Sequence, residues 1–496
     1  MKAPVKIDIS LEKNIAYLEA VLSDSTDIIK RSLWVGDNKY WIYMVYMDSM
    51  IDRMLVEGKI LKNLMYDLKT VPEDRGIEFL KDNGINTADA TVTDSMEDAL
   101  KNMFSGDTLI FGNHCDKVLV INSKGYPNRG VPTAESEVAI RGSKESFSEV
   151  IRVNTILIRR RIRDTRLKVK QMSVGVRSKT DVAIVYMDDL VRKDILKEIE
   201  KRLKKFEIDG IFDSGSLEQL VEEKWYSPFP QFQSTERPDK VSSAILEGRI
   251  ALIIDNSPMV LLLPTTLNCF FQASDDYYNR WGAVCFTRIL RYLAAIVSVV
   301  LPGIYVAIAT FHPEIFPTKL ALSFVASRQG VPFPLAIEVL LMELAFELLR
   351  EAGIRLPGPM GGTLGIVGGL IIGQAAVDAN IISPTVVIVV ALTALSAFTI
   401  PNEGFASAFR LVKFYMLLLS SFLGLVGFVL GGITILVHLA SLKSFNIPYL
   451  MPFVASNMND REDEKDSIVR FPIFAMKNRP VFTRREARRR INKKNN

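Results

Sequence analysis

Short apolar runs separated by polar turns fill the first half of the chain, and long uncharged runs fill most of the second. Trp41–Met47 (WIYMVYM) reads as a strand, and Asp48 is a candidate cap for the helical segment MIDRMLVEGKILKNLMY that follows. The same design returns at Val182–Met187 (VAIVYM), followed by Asp188-Asp189 and LVRKDILKEIEKRLKKF. The string VYMD occurs at 45–48 and again at 185–188. A second pair of segments, GDTLIFGNHCDKVLVIN from Gly106 and GRIALIIDNSPMVLLLP from Gly248, each reads strand, polar turn, strand. The two offsets, 140 and 142 residues, predict a tandem pair of α/β subdomains over 1–140 and 141–275. Residues 256–274 carry no charge, but Pro258 and Pro264 and the match to a strand pair in the first copy favour a hairpin over a membrane span.

Between the copies, RGSKESFSEVIRVNTILIRRRIRDTRLKV starts at Arg141. Ser143 and Ser146 are candidate caps, and Ile151, Ile156, Ile158 and Ile162 alternate with Arg152, Arg159, Arg160, Arg161 and Arg163. The expected role is a solvated helix making ion pairs between the subdomains. Contact with lipid headgroups or with another subunit is the functional alternative.

After DDYYNRWGAVCFTRILR (275–291), whose Tyr277, Tyr278, Trp281 and Phe286 suit a membrane interface, the pattern changes. Uncharged runs at about 292–313, 356–377, 379–402 and 414–442 are long enough as helices to cross a hydrocarbon layer of about 30 Å. The first contains Pro302-Gly303. The last is longer than a crossing requires, so it must tilt, extend or kink, with Gly431-Gly432 as the expected kink. Residues 314–355 hold prolines, Lys319, Arg328 and the face Glu343, Glu347, Arg350, Glu351; they are expected to be interfacial, re-entrant or to line a wet cavity. In LPGPMGGTLGIVGGLIIGQAAV, Gly361, Gly365, Gly369 and Gly373 recur every fourth residue and form a helix-packing row. Across the helix from that row lie Thr363, Gln374 and Asp378.

Composition sharpens this division. Charges are dense up to Arg291, sparse to Lys443 and dense again to the end. The expected fold is thus an α/β cytoplasmic domain of two tandem subdomains, an all-α polytopic transmembrane domain at 276–445, and a basic cytoplasmic tail at 446–496. The amino terminus shows no apolar signal region. Cys115, Cys269 and Cys285 form no disulfide framework. A net charge of +5 is too small to imply nucleic acid. Four spans put both termini on one side, and the basic tail makes that side cytoplasmic. There is no P-loop and no GxSxG, and His114, His312 and His438 lack metal-ligand spacing. The reading is therefore not an enzyme, with no cofactor and no metal. Thr363, Gln374, Asp378, Glu343 and Glu347 are the candidate pore- or cavity-lining residues, because acids within a membrane segment are functional suspects.

Several motifs occur in an order that resembles the GerA spore-germination family: RGSKESFSEVIRVNTILIRRRIRD, SPFPQFQSTERPD, LEGRIALIIDNSP, FQASDDYYNRW, LPGPMGGTLGIVGGLIIGQAAVDANIISP and HLASLKSFNIPYLMPF. The resemblance runs from about Leu22 to Arg479 and is closest to the A subunits of nutrient germinant receptors, with SpoVAF-type proteins as a sister group. Glu403-Gly404 departs from the pattern, where an aromatic is expected after the proline turn. The resemblance implies a multi-pass protein of the spore inner membrane. It would act with B and C subunits and oligomerise into a ring that passes monovalent cations when nutrient binds. A SpoVAF-type accessory channel and a secondary transporter are the alternatives.

Overall fold

The computed structural model describes residues 5–48, 50–73, 75–84, 89–125, 137, 141–355, 360–459 and 461–491; for 354–355, 360–367, 370 and 456 it describes the backbone alone. The chain forms two compact units. The first is Met1–Glu222 with Phe232–Pro264 and Lys477–Asn496; the second is Glu223–Gln231 with Thr265–Met476.

The first unit contains two five-stranded sheets. One is built from β1 (Ile28–Val35), β2 (Tyr40–Met47), β3 (Ala90–Thr93), β4 (Thr108–Gly112) and β5 (Val118–Ile121) in the order β1-β2-β4-β5-β3. The other uses β6 (Leu167–Val174), β7 (Thr180–Met187), β8 (Gln233–Thr235), β9 (Ile250–Ile254) and β10 (Val260–Leu263) in the order β6-β7-β9-β10-β8. The orders are the same, and every pairing is antiparallel. Alternation along β2 shows why the strand reads as unbroken apolar sequence. Tyr43, Val45 and Met47 point into one core cluster, and Ile42, Met44 and Tyr46 into a second on the other face. The turns repeat as well. Lys39 and Lys179 have φ of 52° and 46°, and His114 and Asn256 have 56° and 68°. His114 is thus a left-handed turn residue in the place where the second copy has Asn256.

The arginine-rich segment forms a helix over Ile151–Arg159, and its last arginine turns inward. Arg159, 1% exposed, donates to both oxygens of Asp27 at 2.7 and 2.9 Å and to the Leu167 carbonyl at 2.8 Å. Beside it the backbone N–H of Thr26 donates to the Val169 carbonyl at 3.1 Å, and Lys168 donates to the Val21 carbonyl at 2.8 Å. Arg152 pairs with Asp48, and Arg160 and Arg161 both pair with Glu145. The first segment of one copy is thereby fixed to the edge strand of the other, so the helix makes the expected ion pairs, but it is not solvated: Asn154 to Arg159 are all buried. The carboxy-terminal segment also packs on this unit. The Arg484 Nε donates to the Val191 carbonyl at 2.5 Å and Thr483 Oγ1 to the Glu247 carbonyl at 2.7 Å. Gly248, with φ of 85°, leaves no room for a Cβ, which would lie 2.8 Å from the Thr483 Cα.

The second unit is helical. Its main helices are Trp281–Phe311, Thr318–Ser327, Leu335–Arg355, Met360–Asp378, Pro384–Ala397 and Glu403–Ser441. Among the described residues, Trp281–Phe311 and Glu403–Ser441 are long and apolar enough to cross a membrane. The first begins 11 residues before the uncharged run at 292. In the uncharged run 379–402 the helix occupies only Pro384–Ala397, because Pro384 starts it at a position that needs no N–H. Residues 335–355, expected to be interfacial, re-entrant or a helix lining a wet cavity, form one continuous helix of 21 residues.

Glu403–Ser441 is broken at Gly424, whose φ of 58° and ψ of −137° are accessible to glycine alone. The two halves fold back on each other. Tyr415 Oη lies 3.0 Å from Thr434 Oγ1, and a Cβ on Gly431 would sit 2.7 Å from Met416 Sδ. The expected kink at Gly431-Gly432 is therefore misplaced: Gly431 lets the halves approach, while Gly424 makes the turn. Phe311, at the end of its own helix, packs 2.9 Å from the Cβ position of Gly424. At the opposite end, Phe405, Leu439, Ala295 and Tyr449 share one cluster.

Asp27→Ala leaves the Arg159 guanidinium buried with half its donors unpaired. The expected loss is about 3–5 kcal/mol for the first unit, read as a lower unfolding midpoint of the full chain in detergent. An unchanged midpoint would show that the subdomains do not depend on this pair.

Candidate functional site: a charged ladder inside the helical unit

On Leu335–Arg355, Glu343, Glu347 and Arg350 are spaced four and three apart; on the first half of Glu403–Ser441, Glu403, Arg410 and Lys413 are spaced seven and three apart. Both spacings return to the same helix face. The two helices run antiparallel at this face, so the six charges interleave. Arg350 Nη2 lies 2.8 Å from Glu403 Oε1, and Arg410 Nη1 lies 3.3 Å from the same oxygen. Arg410 Nε is 3.8 Å from Glu347 Oε2, and Lys413 Nζ is 3.3 Å from Glu347 Oε1 and 2.6 Å from Glu343 Oε2. Exposure of the carboxylates falls inward along this ladder, while Arg350 and Arg410 are each about one-fifth exposed. The Glu403 side chain is 67% exposed, Glu347 29%, Lys413 7% and Glu343 2%.

The innermost pair is the tightest, as it must be where water cannot solvate either ion. Glu343 Oε1 remains buried without a hydrogen-bond partner. A second buried acid lies on the same helix. Glu338 is fully buried; Arg328 reaches its Oε1 at 3.1 Å and the Ser383 backbone N–H donates to its Oε2 at 2.9 Å. Glu338 thus holds together the start of its own helix, the preceding loop and the turn before Pro384.

The glycine-rich helix Met360–Asp378 presents two sides. Gly368, Gly369 and Gly373 face neighbouring helices of the same chain: their Cβ positions lie 2.9 Å from Leu349, 3.1 Å from Phe346 and 3.2 Å from Val387. Gly361, Gly365 and Thr363 lie outside the residues whose side chains are described. Gln374 and Asp378 are exposed, and the Gln374 amide donates to Asp378 Oδ1 at 2.9 Å. The candidate residues therefore form two separate groups. Glu343 and Glu347 are interior and paired, while Gln374 and Asp378 stand on an outer face.

Sequence reasoning missed Glu338, Lys413, Arg410 and Arg328. The matching spacing of 343-347-350 with 403-410-413 was the available signal, but it becomes informative only once the two helices are known to pair.

A further charged cluster holds the head of Trp281–Phe311. Arg288 donates to Asp276 at 2.8 Å and to Asp466 at 2.7 Å, Arg470 donates to the Asp276 carbonyl at 2.6 Å, and Tyr277 donates to Asp466 at 2.7 Å. Tyr277, expected at a membrane interface, is thus engaged in this network. Among the described residues no group of three or more His, Cys, Asp or Glu is placed to hold a metal ion.

The sequence that folds in this way has known relatives. A family model described as "Bacillus/Clostridium GerA spore germination protein" matches residues 16–482. The chain belongs to the GerA family. Spore germination protein KA of Bacillus subtilis (strain 168) is 37% identical over 484 residues, covering 97% of this chain and 88% of that protein. Spore germination protein A1 of the same organism is 37% identical over 470 residues, covering 95% of each chain. A solved structure, the N-terminal domain of the A subunit of the Bacillus megaterium spore germinant receptor GerK3, is 29% identical. It covers 53% of this chain and 98% of its own, with a TM-score of 0.42.

In this GerA-family chain the ladder makes a specific demand on its deepest pair. Lys413→Met strands the Glu343 carboxylate and is expected to cost about 3–5 kcal/mol, whereas Glu343→Gln with Lys413→Met should recover most of that loss. Thermal unfolding of the single and double variants in detergent measures the coupling. Additive losses would mean that the two groups are not paired.

Proposed function

We propose that this chain is the membrane-embedded A subunit of a nutrient germinant receptor, one of several copies that assemble into a cation-conducting ring. The observation that carries the reading is the outer face of Met360–Asp378. Gln374 and Asp378 are exposed there, on a helix whose opposite side is packed through glycines against its own chain. A polar pair on the outside of an apolar helical unit is costly against lipid. Facing a water-filled axis, it costs little, and a ring repeats one carboxylate per copy around that axis.

The path of the chain supports a multi-pass arrangement. Trp281–Phe311, Leu335–Arg355, Met360–Asp378 and Pro384–Ala397, followed by the two halves of Glu403–Ser441, run alternately in opposite directions. In this reading the chain makes six passes where uncharged runs alone suggest four, with Glu338 and Glu343 of 335–355 paired inside the bundle and the last run folded into a hairpin at Gly424. Six is also even, so both ends of the unit return to one side, taken as cytoplasmic, with the spore inner membrane as the location. The family resemblance supplies B and C subunits as partners, nutrient as the trigger and monovalent cations as the conducted species. In this reading the charged ladder lies inside each subunit and holds its helices together, and the Gln374–Asp378 face meets the ions.

Asp378→Asn should reduce cation conductance or selectivity several-fold in reconstituted assemblies while leaving assembly intact. Wild-type conductance and selectivity from a correctly assembled variant would remove Asp378 from the conduction path.

A further inference from the structure

Residues 223–231 belong by sequence to the sheet-forming half, yet they fold with the helical unit. They are clamped to the last turns of Glu403–Ser441. Lys224 Nζ donates to the Ser441 carbonyl at 2.9 Å and lies 3.1 Å from its hydroxyl, where a helix end leaves carbonyls unpaired. Ser227 Oγ is 2.9 Å from His438 Nε2. Phe229 inserts among Phe405, Phe409, His438 and Tyr449, with ring centroids 6.1 to 6.5 Å apart, and Tyr449 donates to the Pro230 carbonyl at 3.0 Å.

This clamp does not bury the two aromatic residues at its start. Trp225 is 83% exposed and Tyr226 59%, with their rings 6.0 Å apart and Tyr226 6.2 Å from the His438 ring. They stand beside a helix whose outer side carries exposed Ile433, Leu436 and Val437, and they sit where the uncharged run gives way to Lys443. Leaving an indole and a phenol in water next to an apolar helix face has no energetic advantage, and the loop is held too firmly to withdraw them. The boundary between hydrocarbon and headgroups is the environment in which a ring with one polar atom is most stable.

We propose that Trp225 and Tyr226 form an anchor that inserts into the headgroup region of the bilayer, fixing the depth of the carboxy-terminal half of the hairpin. Its occupant is lipid. The apolar face it continues is that of the half of Glu403–Ser441 that follows Gly424, and its clamp consists of contacts within the helical unit. The anchor requires that this helix lie in the membrane, but it does not require conduction.

The test uses full-length protein in phosphatidylcholine–phosphatidylglycerol vesicles, with Trp34, Trp41 and Trp281 replaced by Phe so that Trp225 alone emits. Lipids brominated near the headgroup should quench it strongly, lipids brominated near the chain ends weakly, and aqueous iodide weakly. Strong iodide quenching without bromolipid quenching would overturn the proposal in favour of a solvated loop, and resistance to all three quenchers would place a protein surface over the site. Should the triple replacement fail to fold, a spin label on Trp225→Cys in a chain lacking Cys115, Cys269 and Cys285 reads the same depth from oxygen against polar-nickel accessibility. Loss of bromolipid quenching with conductance retained would sink the anchor alone; loss of conductance with quenching retained would sink the channel reading alone.

Discussion

Lys413 Nζ lies 2.6 Å from Glu343 inside a bundle of apolar helices, and much of the helical unit follows from the need to keep that pair together. Neither ion tolerates burial alone, so the helix that carries Glu343 and the half-helix that carries Lys413 must meet at this face and in this register. The register then sets the next contacts, Glu347 with Arg410 and Glu403 with Arg350, the carboxylate of each more exposed than the one before. A ladder graded in this way fixes the depth of two helices relative to each other. An apolar seam, whose contacts are nearly alike after a slip of one turn, fixes it far less firmly.

With that seam closed, the glycine-rich helix is left with one inward side. Gly369 and Gly373 bring it against Phe346 and Val387, which turns Gln374 and Asp378 outward. The interior acids and the exposed acid thus have different physical roles. The first are neutralised by the chain itself. The second stands exposed on an outer face, where the Gln374 amide donates to it.

The sheet unit was readable because a strand covered on both faces leaves a continuous apolar signature, and because duplication repeats its turns. VYMD marks the ends of β2 and β7, and the GNHCD and DNSPM turns mark equivalent hairpins. The inward turn of Arg159 was half readable: the arginine run was plain, but Asp27 lies 132 residues away. In the helical unit, uncharged length is a poor guide. Leu335–Arg355 carries charges that pair across the bundle, so it fails a test based on its own composition. The break in Glu403–Ser441 falls at Gly424 rather than at the more conspicuous Gly431-Gly432. Gly424, Gly427, Gly431 and Gly432 are alike in sequence, and only the position of Phe311 beside the turn and of Met416 beside Gly431 assigns each its part. Glu338 gave no signal at all, since its partners, Arg328 and the Ser383 N–H, come from two loops.

The account rests on one face of Met360–Asp378 looking at water in the assembled protein. Single cysteines placed in turn from Ile371 to Asp378, in a chain without its three native cysteines, test this through modification by a charged, membrane-impermeant thiol reagent during current recording. The account predicts that modification at 374 and 378 alters the cation current and that modification at 373, packed against Val387, does not. Current changes confined to 373, or reactivity at 374 and 378 with no effect on current, would contradict it.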